Sequence, residues 1–279
     1  MKTILITGNS GYIGSHLTNL LNQKYNVIGL DLIPNKANVT EQLTCDIRNF
    51  PDLDFEFDAV IHLAALVKVN ESVTNPIQYY ATNLNGTLNL LHKIKNKTTN
   101  FIFASTGSAE YCNNPYGISK KAAEDCVKQF CNDNNINFTT FRFYNVIGSS
   151  GFSPTNPDGL FYNLLQAKSR GVFTIFGNDY NTKDGTAVRD YVHVDEICKA
   201  IEKAINTPAN KIENLGHGQG HTVKEIVSLF QKNNNCEFDV KYGPRRLGDL
   251  ERSVLDNPSP YLNNIYGIEE LVKIPISML

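Results

Sequence analysis

The sequence contains no stretch of about 18 uninterrupted apolar residues, so no membrane-spanning helix is expected. It has no excess of either charge: 26 Lys and Arg stand against 28 Asp and Glu, and the longest basic run is Arg245-Arg246. A nucleic-acid partner would call for a basic stripe that is missing here. The six cysteines, at 45, 112, 126, 131, 198 and 236, form no CxxC and no Cys/His cluster at zinc spacing. No metal site is expected, and the scattered thiols read as reduced in a cytoplasmic protein. The opening MKTILIT breaks at Gly8-Asn9-Ser10-Gly11, too early for a secretory core segment and without a cleavage site. Internal repeats and low-complexity linkers are absent as well. Five N-x-S/T sequons occur, but 34 asparagines in 279 residues produce them by composition.

What is present is an ordinary globular mixture, 41% hydrophobic and 19% charged, long enough for one large domain with a smaller lobe. The first half alternates β-branched runs with amphipathic stretches. Strands are expected at Lys2–Thr7, Asn26–Leu30, Ala59–Leu63, Asn100–Ala104 and Asn137–Phe143. Helices are expected from Tyr12 to about Gln23, over Asn85–Lys95, and over Pro115–Cys131 with proline near its first turn. This order predicts an α/β fold, a Rossmann-like doubly wound parallel sheet. After Asn145 the texture changes to Gly-, Pro- and Ser-rich turns, with helices at Val194–Ile205 and Thr222–Gln231, the latter opened by a Thr222/Glu225 capping box. The second half reads as a smaller C-terminal substrate-binding lobe. The division expected is 1–145 plus about 186–216 for a nucleotide-binding domain, and about 146–185 plus 217–279 for the lobe.

Gly8-Asn9-Ser10-Gly11-Tyr12-Ile13-Gly14 follows a strand and opens a helix, the context a dinucleotide fingerprint requires. The glycines allow a tight turn and close approach to a pyrophosphate, and the helix N-terminus supplies N–H groups. Asp31 ends the next strand, where a carboxylate can bond both adenosine ribose hydroxyls, and no arginine follows closely to hold a 2′-phosphate. NAD is therefore favoured over NADP.

Tyr116 and Lys120 lie four apart on one helix face, after a strand that ends in Ser105, Thr106 and Ser108. Carboxyl ends of strands are where doubly wound sheets hold ligands. A tyrosine phenol needs its pKa lowered by about 3 units, or ~4 kcal/mol, to serve as a base near neutrality. A lysine ammonium 4–6 Å away at an effective dielectric of ~20 supplies roughly 3–4 kcal/mol.

The glycine motif, Asp31, Cys45-Asp46-Ile47-Arg48, His62-Leu63-Ala64-Ala65, Asn83-Leu84-Asn85-Gly86-Thr87 and Tyr116…Lys120 together resemble an extended short-chain dehydrogenase/reductase. Glu71-Ser72-Val73 with Pro76, the block Ile175–Val194 and Pro244-Arg245-Arg246-Leu247-Gly248-Asp249 resemble, within it, the UDP-glucose (UDP-galactose) 4-epimerase family. The resemblance implies an isomerase that epimerises C4 of a UDP-hexose through a transient 4-keto sugar with a retained NAD. It implies that Asp31 holds the adenosine ribose, that Asp46 and Ile47 flank the adenine, and that Ala64, Ala65 and Asn83 line the nicotinamide side. Gly8, Gly11, Tyr12, Ile13 and Gly14 would meet the pyrophosphate. Tyr116 would be the base, Thr106 would share the sugar 4-hydroxyl, and Lys120 would bond the nicotinamide ribose and depress the Tyr116 pKa. Asn145, Arg189, Arg246 and Asp249 would hold the nucleoside diphosphate. His62 is given a structural role. A homodimer through a helix pair like Asn85–Lys95 and Pro115–Cys131 is the habit of the family.

The chain departs from that family in a nine-residue connection between Thr106 and Tyr116, in Val67 where lysine is common, and in a short C-terminus after Pro258. Ser253 aligns near the position whose size decides whether an N-acetyl group fits. Two other readings stay open. A sugar-nucleotide 4,6-dehydratase would want an Asp-Glu pair where this chain has Gly107-Ser108. A catalytically weak NAD-binding regulatory protein would not be expected to keep Thr106, Tyr116, Lys120 and both arginines.

Overall fold

Ile4, Leu5 and Ile6 are fully buried in succession, as a strand covered on both faces must be. In the computed structural model, which describes every residue except 36, 38, 247, 263–265 and 276–279, they form β1 (Thr3–Thr7). The strands β2 (Asn26–Asp31), β3 (Glu41–Thr44), β4 (Ala59–His62), β5 (Asn100–Thr106) and β6 (Asn137–Phe143) follow. With the strand Asn210–Leu215 they make a seven-stranded sheet, ordered Asn210–Leu215, β6, β5, β4, β1, β2, β3. The pairings β1 with β2, β1 with β4, β2 with β3 and β4 with β5 are parallel. The chain builds outward from β1 to β3 and then crosses back to β4, so the crevice at the carboxyl ends of β1 and β4 is the topological switch point.

Clustering of the backbone gives two units: Met1–Arg142 with Cys198–Glu213, and Phe143–Ile197 with Asn214–Leu279. In the first, Leu5, Ile28, Phe101 and Phe103 of the sheet pack with Leu90, Leu91 and Ile94 of the helix Gly86–Ile94 and with Ala123 and Val127 of the helix Pro115–Asp133. In the second, the strand Val188–His193 is flanked by Gly220–Thr222, Arg252–Ser253 and Asn145–Ile147. A parallel pair, Val172–Phe176 with Asp239–Gly243, and the helices Leu160–Arg170 and Val223–Asn233 complete it. Its core gathers Phe161, Phe173, Tyr191, Phe230 and Phe238.

Sequence and structure part company in a few places. Residues 186–197 were expected with the nucleotide-binding domain, but the strand within them finds its hydrogen-bond partners in the second unit. The edge strand β3 was missed because EQLT is half-exposed and offers no apolar run. The helix expected to begin at Asn85 is preceded by helical segments Val69–Thr74 and Pro76–Tyr79 and a π-helical turn Tyr80–Asn85. The capping box is formed: Glu225 N–H donates to Thr222 Oγ1 at 3.1 Å, and Thr222 N–H to Glu225 Oε2 at 3.4 Å. No disulfide joins any of the six cysteines. Among the described residues, no helix is long and apolar enough to cross a membrane, and no cluster suits a metal ion.

Candidate active site

The glycine loop is built by exclusion. Gly8 has φ +73° and a Cβ on it would lie 2.6 Å from Ala64 N. A Cβ on Gly14 would lie 2.1 Å from Gly8 O and 2.7 Å from Asn9 Cα. Helix Tyr12–Leu21 therefore starts in contact with the end of β1, its N-cap Gly11 offers no side chain, and its first turn carries no acid. Such a helix start accepts an anion. Underneath, Asn9 is fully buried and exchanges amide hydrogen bonds with Gln42 of β3, Nδ2 to Oε1 at 2.8 Å and Nε2 to Oδ1 at 3.3 Å. Gly29 makes room for that pair, since its Cβ would meet Asn9 Nδ2 at 2.2 Å. Sequence reading did not find this support, because nothing marks Gln42 as the partner of a residue 33 positions away.

Asp31 stands where expected, at the end of β2, and accepts the Ser10 N–H on Oδ2 at 2.9 Å. Leu32 and Ile33 after it are exposed and apolar. Asp46 is occupied differently from expectation. Its carboxylate takes the Arg48 guanidinium in a fork, 3.0 and 2.6 Å, and that hydrogen bond holds it below the usual carboxylate range. Ile47 is buried against Gly86, where a Cβ would come within 2.8 Å of its Cγ2. Ala64 N–H donates to Thr7 Oγ1 at 3.4 Å, and Ala64 and Ala65 remain half-buried beside the carboxyl end of β4. The cradle at Gly8 and Gly14, the uncapped helix start and the ribose-side carboxylate of Asp31 together fit a dinucleotide such as NAD.

His62 is structural. Thr87 Oγ1 donates to Asn83 O at 2.6 Å, so it must accept from His62 Nε2 at 2.8 Å; Nδ1 then accepts from Thr7 Oγ1 at 2.6 Å. Both nitrogens are used, and burial, with the charge of Lys120 adding to it, holds the imidazole neutral.

The helix Pro115–Asp133 presents Tyr116 and Lys120 to the end of β5. Asn114 caps it, accepting the Gly117 N–H at 2.9 Å. Tyr116 is buried, its ring edge-on to Tyr79 at 6.4 Å, with the Thr106 side chain near enough to its hydroxyl to favour the ionised form. Lys120 is 2% exposed, with Nζ 4.2 Å from the Phe103 ring centroid. The expected depression of the phenol by the lysine is absent in the protein alone. Burial pushes Tyr116 up to about 12, and Thr106 only partly opposes it. Burial also brings Lys120 down to about 7, so much of it is neutral at pH 7 and supplies less field than a full ammonium.

Asn83, expected at the nicotinamide side, is held by hydrogen bonds within the protein. From the π-helical turn it donates to Leu66 O at 3.0 Å and to Ser119 Oγ at 3.0 Å, and accepts the Leu66 N–H at 2.8 Å. All its polar atoms are used. It clamps the loop after β4 to the Tyr116 helix, which is a positioning task. The nine-residue connection between Thr106 and Tyr116 holds a helical turn at Ser108–Tyr111.

The second unit brings its own expected residues together. Arg189 Nη2 lies 3.7 Å from Asp249 Oδ1, and Asp249 N–H donates to Arg246 O at 3.2 Å. Arg246 rests on the Phe176 ring at 4.1 Å and bonds Asp158 O. Asn145 Nδ2 donates to Asp190 O at 3.3 Å. Asp190 is a hub that sequence reading missed: fully buried, it accepts N–H groups of His217, Gly218 and Leu255. Ser253 pairs in register with Arg189. Leu247 of the Pro244–Asp249 motif lies outside the described residues. Arg245 turns away to Asp179 at 2.7 Å and stacks on Tyr180.

Comparison with known proteins agrees in every direction. The model of the NAD dependent epimerase/dehydratase family matches residues 4–216. The UDP-glucose 4-epimerase of Bacillus subtilis is 32% identical over 299 residues, covering 91% of this chain and 88% of that one. That of Homo sapiens is 33% identical over 311 residues, covering 92% and 89%. Among solved structures, UDP-glucose 4-epimerase of Thermotoga maritima with UDP-glucose superposes at a TM-score of 0.84, with 30% identity and 97% and 96% coverage. The Bifidobacterium longum enzyme with NAD+ and UDP gives 0.83, 26%, 97% and 96%. The UDP-N-acetylglucosamine 4-epimerase of Methanobrevibacter ruminantium gives 0.80, 26%, 92% and 89%.

Proposed function

The chain belongs to the NAD dependent epimerase/dehydratase family, and from that premise we propose that it interconverts the C4 epimers of a UDP-hexose with a retained NAD. The observation that carries this is the buried pair Tyr116 and Lys120 on one helix face at the end of β5, where Thr106 stands, in a chain 32–34% identical to UDP-glucose 4-epimerases over about nine-tenths of its length. The enzyme is an isomerase. Gly8, Gly11, Gly14 and the helix start hold the NAD pyrophosphate, Asp31 the adenosine ribose, and Ile47 the adenine side. Bound NAD supplies a hydride acceptor and donor, so the sugar can pass through a 4-ketone and return reduced on its other face, with no net oxidation.

The residues of the chain move the proton. Tyr116 takes it from the 4-hydroxyl, Thr106 holds that oxygen in line, and Lys120 bonds the nicotinamide ribose. Once protonated, Lys120 would favour the phenolate: an ammonium 4–6 Å from a phenol at an effective dielectric of ~20 is worth roughly 3–4 kcal/mol. Arg189 and Arg246 take the diphosphate oxygens, for which a planar guanidinium is suited, and Asp249 orients Arg189. Charge on the nucleotide and little on the hexose lets the ketone turn over without release. Gly107-Ser108 offers no acid for dehydration.

The test is incubation of purified protein with UDP-galactose and with UDP-GalNAc, no NAD added, and chromatography of the products. Both 4-epimers are expected, because Ser253 is small and lies beside Arg189. Ser253→Tyr is expected to lower turnover of the N-acetylated sugar at least about tenfold while sparing UDP-galactose, the scale of a steric clash in a substrate pocket. No product from folded protein, with NAD added, would sink the proposal.

We further assign the protein to a homodimer and to the cytoplasm. Ile77, Leu88 and Ile118 lie exposed on the helices Pro76–Tyr79, Gly86–Ile94 and Pro115–Asp133, an apolar surface that a second copy would cover. Cysteines without disulfides suit a reducing compartment. Sedimentation is expected to give twice the 31.2 kDa chain mass, and Ile118→Asp to give the single chain.

A further inference from the structure

One turn beyond Lys120, on the same helix, lies Glu124, fully buried. Ser105 Oγ donates to Glu124 Oε1 at 2.5 Å. Arg142 Nε donates to the same oxygen at 2.9 Å, and its Nη2 to Oε2 at 2.7 Å. The third nitrogen of that guanidinium reaches Glu110 Oε1 at 3.0 Å, on the helical turn between Thr106 and Tyr116. A single arginine at the end of β6 thus ties together the end of β5, the Tyr116 helix and the short connection between them. Ser105 is the residue immediately before Thr106, so whatever holds Ser105 also sets where the Thr106 hydroxyl meets Tyr116.

Lys120 is nearly as buried, and Nζ makes no hydrogen bond or ion pair among the described residues. Residues four apart on a helix share a face, which makes Glu124 the closest source of negative charge on its own element. The other titratable groups around it compensate little. His62 is neutral, Tyr116 keeps its proton, and the Tyr79 hydroxyl is spent on Lys68 O. Glu71 pairs with Lys68 at 3.3 Å, and Glu110 with Arg142. Burial lowers Lys120, and the only opposing influence is Glu124.

We propose that the buried Glu124–Arg142 pair is a positioning element of this site: through Ser105 it holds Thr106 beside Tyr116, and its Glu124 carboxylate favours the charged form of Lys120 one helical turn away. Arg142 sets how much of that carboxylate Lys120 feels, and Glu110 carries the restraint into the nine-residue connection that sets this chain apart from its family. The inference rests on the assignment of Tyr116 and Lys120 as the catalytic pair.

The test measures kcat and KM for UDP-galactose against pH in four holoenzymes: the parent, Glu124→Gln, Ser105→Ala and Lys120→Met. Activity requires Lys120 protonated, so it falls as pH rises through the Lys120 pKa. Glu124→Gln withdraws the charge that raises that pKa, and the alkaline limb is expected to move down by about 1 unit, the effect of one opposite charge at 4–6 Å. At pH 8 this means about tenfold lower kcat with KM little changed. Ser105→Ala is expected to lower kcat without moving the limb, since it alters position and not charge. If Glu124→Gln does not fold, Glu124→Gln/Arg142→Met leaves no charge orphaned in the core and is expected to move the limb down by less than Glu124→Gln, because the opposing field of the guanidinium goes with the carboxylate. An unmoved or upward-moving limb overturns the proposal. If Lys120→Met itself keeps full activity, the catalytic assignment fails instead, and the two failures are told apart.

Discussion

Tyr116→Phe is expected to lower kcat for UDP-galactose by about 10³-fold, within the range for loss of a positioned general base. KM and bound NAD should change little. The reason lies in what the substitution leaves in place. The ring is buried and packs edge-on to Tyr79, and phenylalanine preserves both. Only the hydroxyl beside Thr106 is lost. Thr106→Val, which keeps the phenol, should cost about 10²-fold or less, since it removes one hydrogen bond to the reacting oxygen. The diagnostic is the comparison of kcat with NAD content in the same preparation. More than a tenth of parental kcat in Tyr116→Phe would remove Tyr116 from the mechanism and leave Lys120 without a purpose at its depth.

Gly14→Ala should abolish retention of NAD. The added Cβ would stand 2.1 Å from Gly8 O and under 3 Å from two backbone atoms of Asn9. Backbone cannot swing aside as a side chain can, so the helix must lift from the end of β1 or the loop must open. Either motion separates the helix N-terminus from the turn that would hold the pyrophosphate. An overpacked contact of this kind costs about 1–3 kcal/mol or more, and here it falls on the Asn9–Gln42 pair that supports the loop. Gly11→Ala supplies the contrast, because its Cβ would meet only Gly8 O, at 3.3 Å. Absorbance of released nucleotide after denaturation measures both. Normal NAD content in Gly14→Ala would show that the cradle is looser than its geometry says.

The residues proposed to meet ligand were legible because their constraints are local. Glycine where a Cβ cannot go, an acid ending the second strand, and a tyrosine and lysine one helical turn apart are written into spacing. Their roles were less legible. Asp46 and Asn83 were both placed against the cofactor, and the fold commits one to Arg48 and the other to the backbone of Leu66. A side chain with several hydrogen-bonding groups declares its chemistry in sequence, but not which partner will be nearest after folding. The net shift of the tyrosine was mis-signed for the protein alone for a similar reason. Coulomb attraction can be written from a spacing of four, whereas desolvation depends on Phe103, Tyr79 and the rest of the walls, which come from distant segments.

What the sequence determined by itself is the alternation of the main strands and helices, the doubly wound sheet, the NAD-type loop and the helix face that carries Tyr116 and Lys120. Each of these follows from periods of two and 3.6 residues and from short-range backbone chemistry. What only the tertiary structure decided is the support beneath them. Gln42 lies under Asn9, Asp190 gathers three segments, and Arg142 reaches Glu124 and Glu110 at once. These partners are 18 to 65 residues apart in the chain, and no local preference selects them. They meet because burying the apolar faces of the sheet and helices brings their polar groups out of water together, where each must find a hydrogen bond or pay for its desolvation.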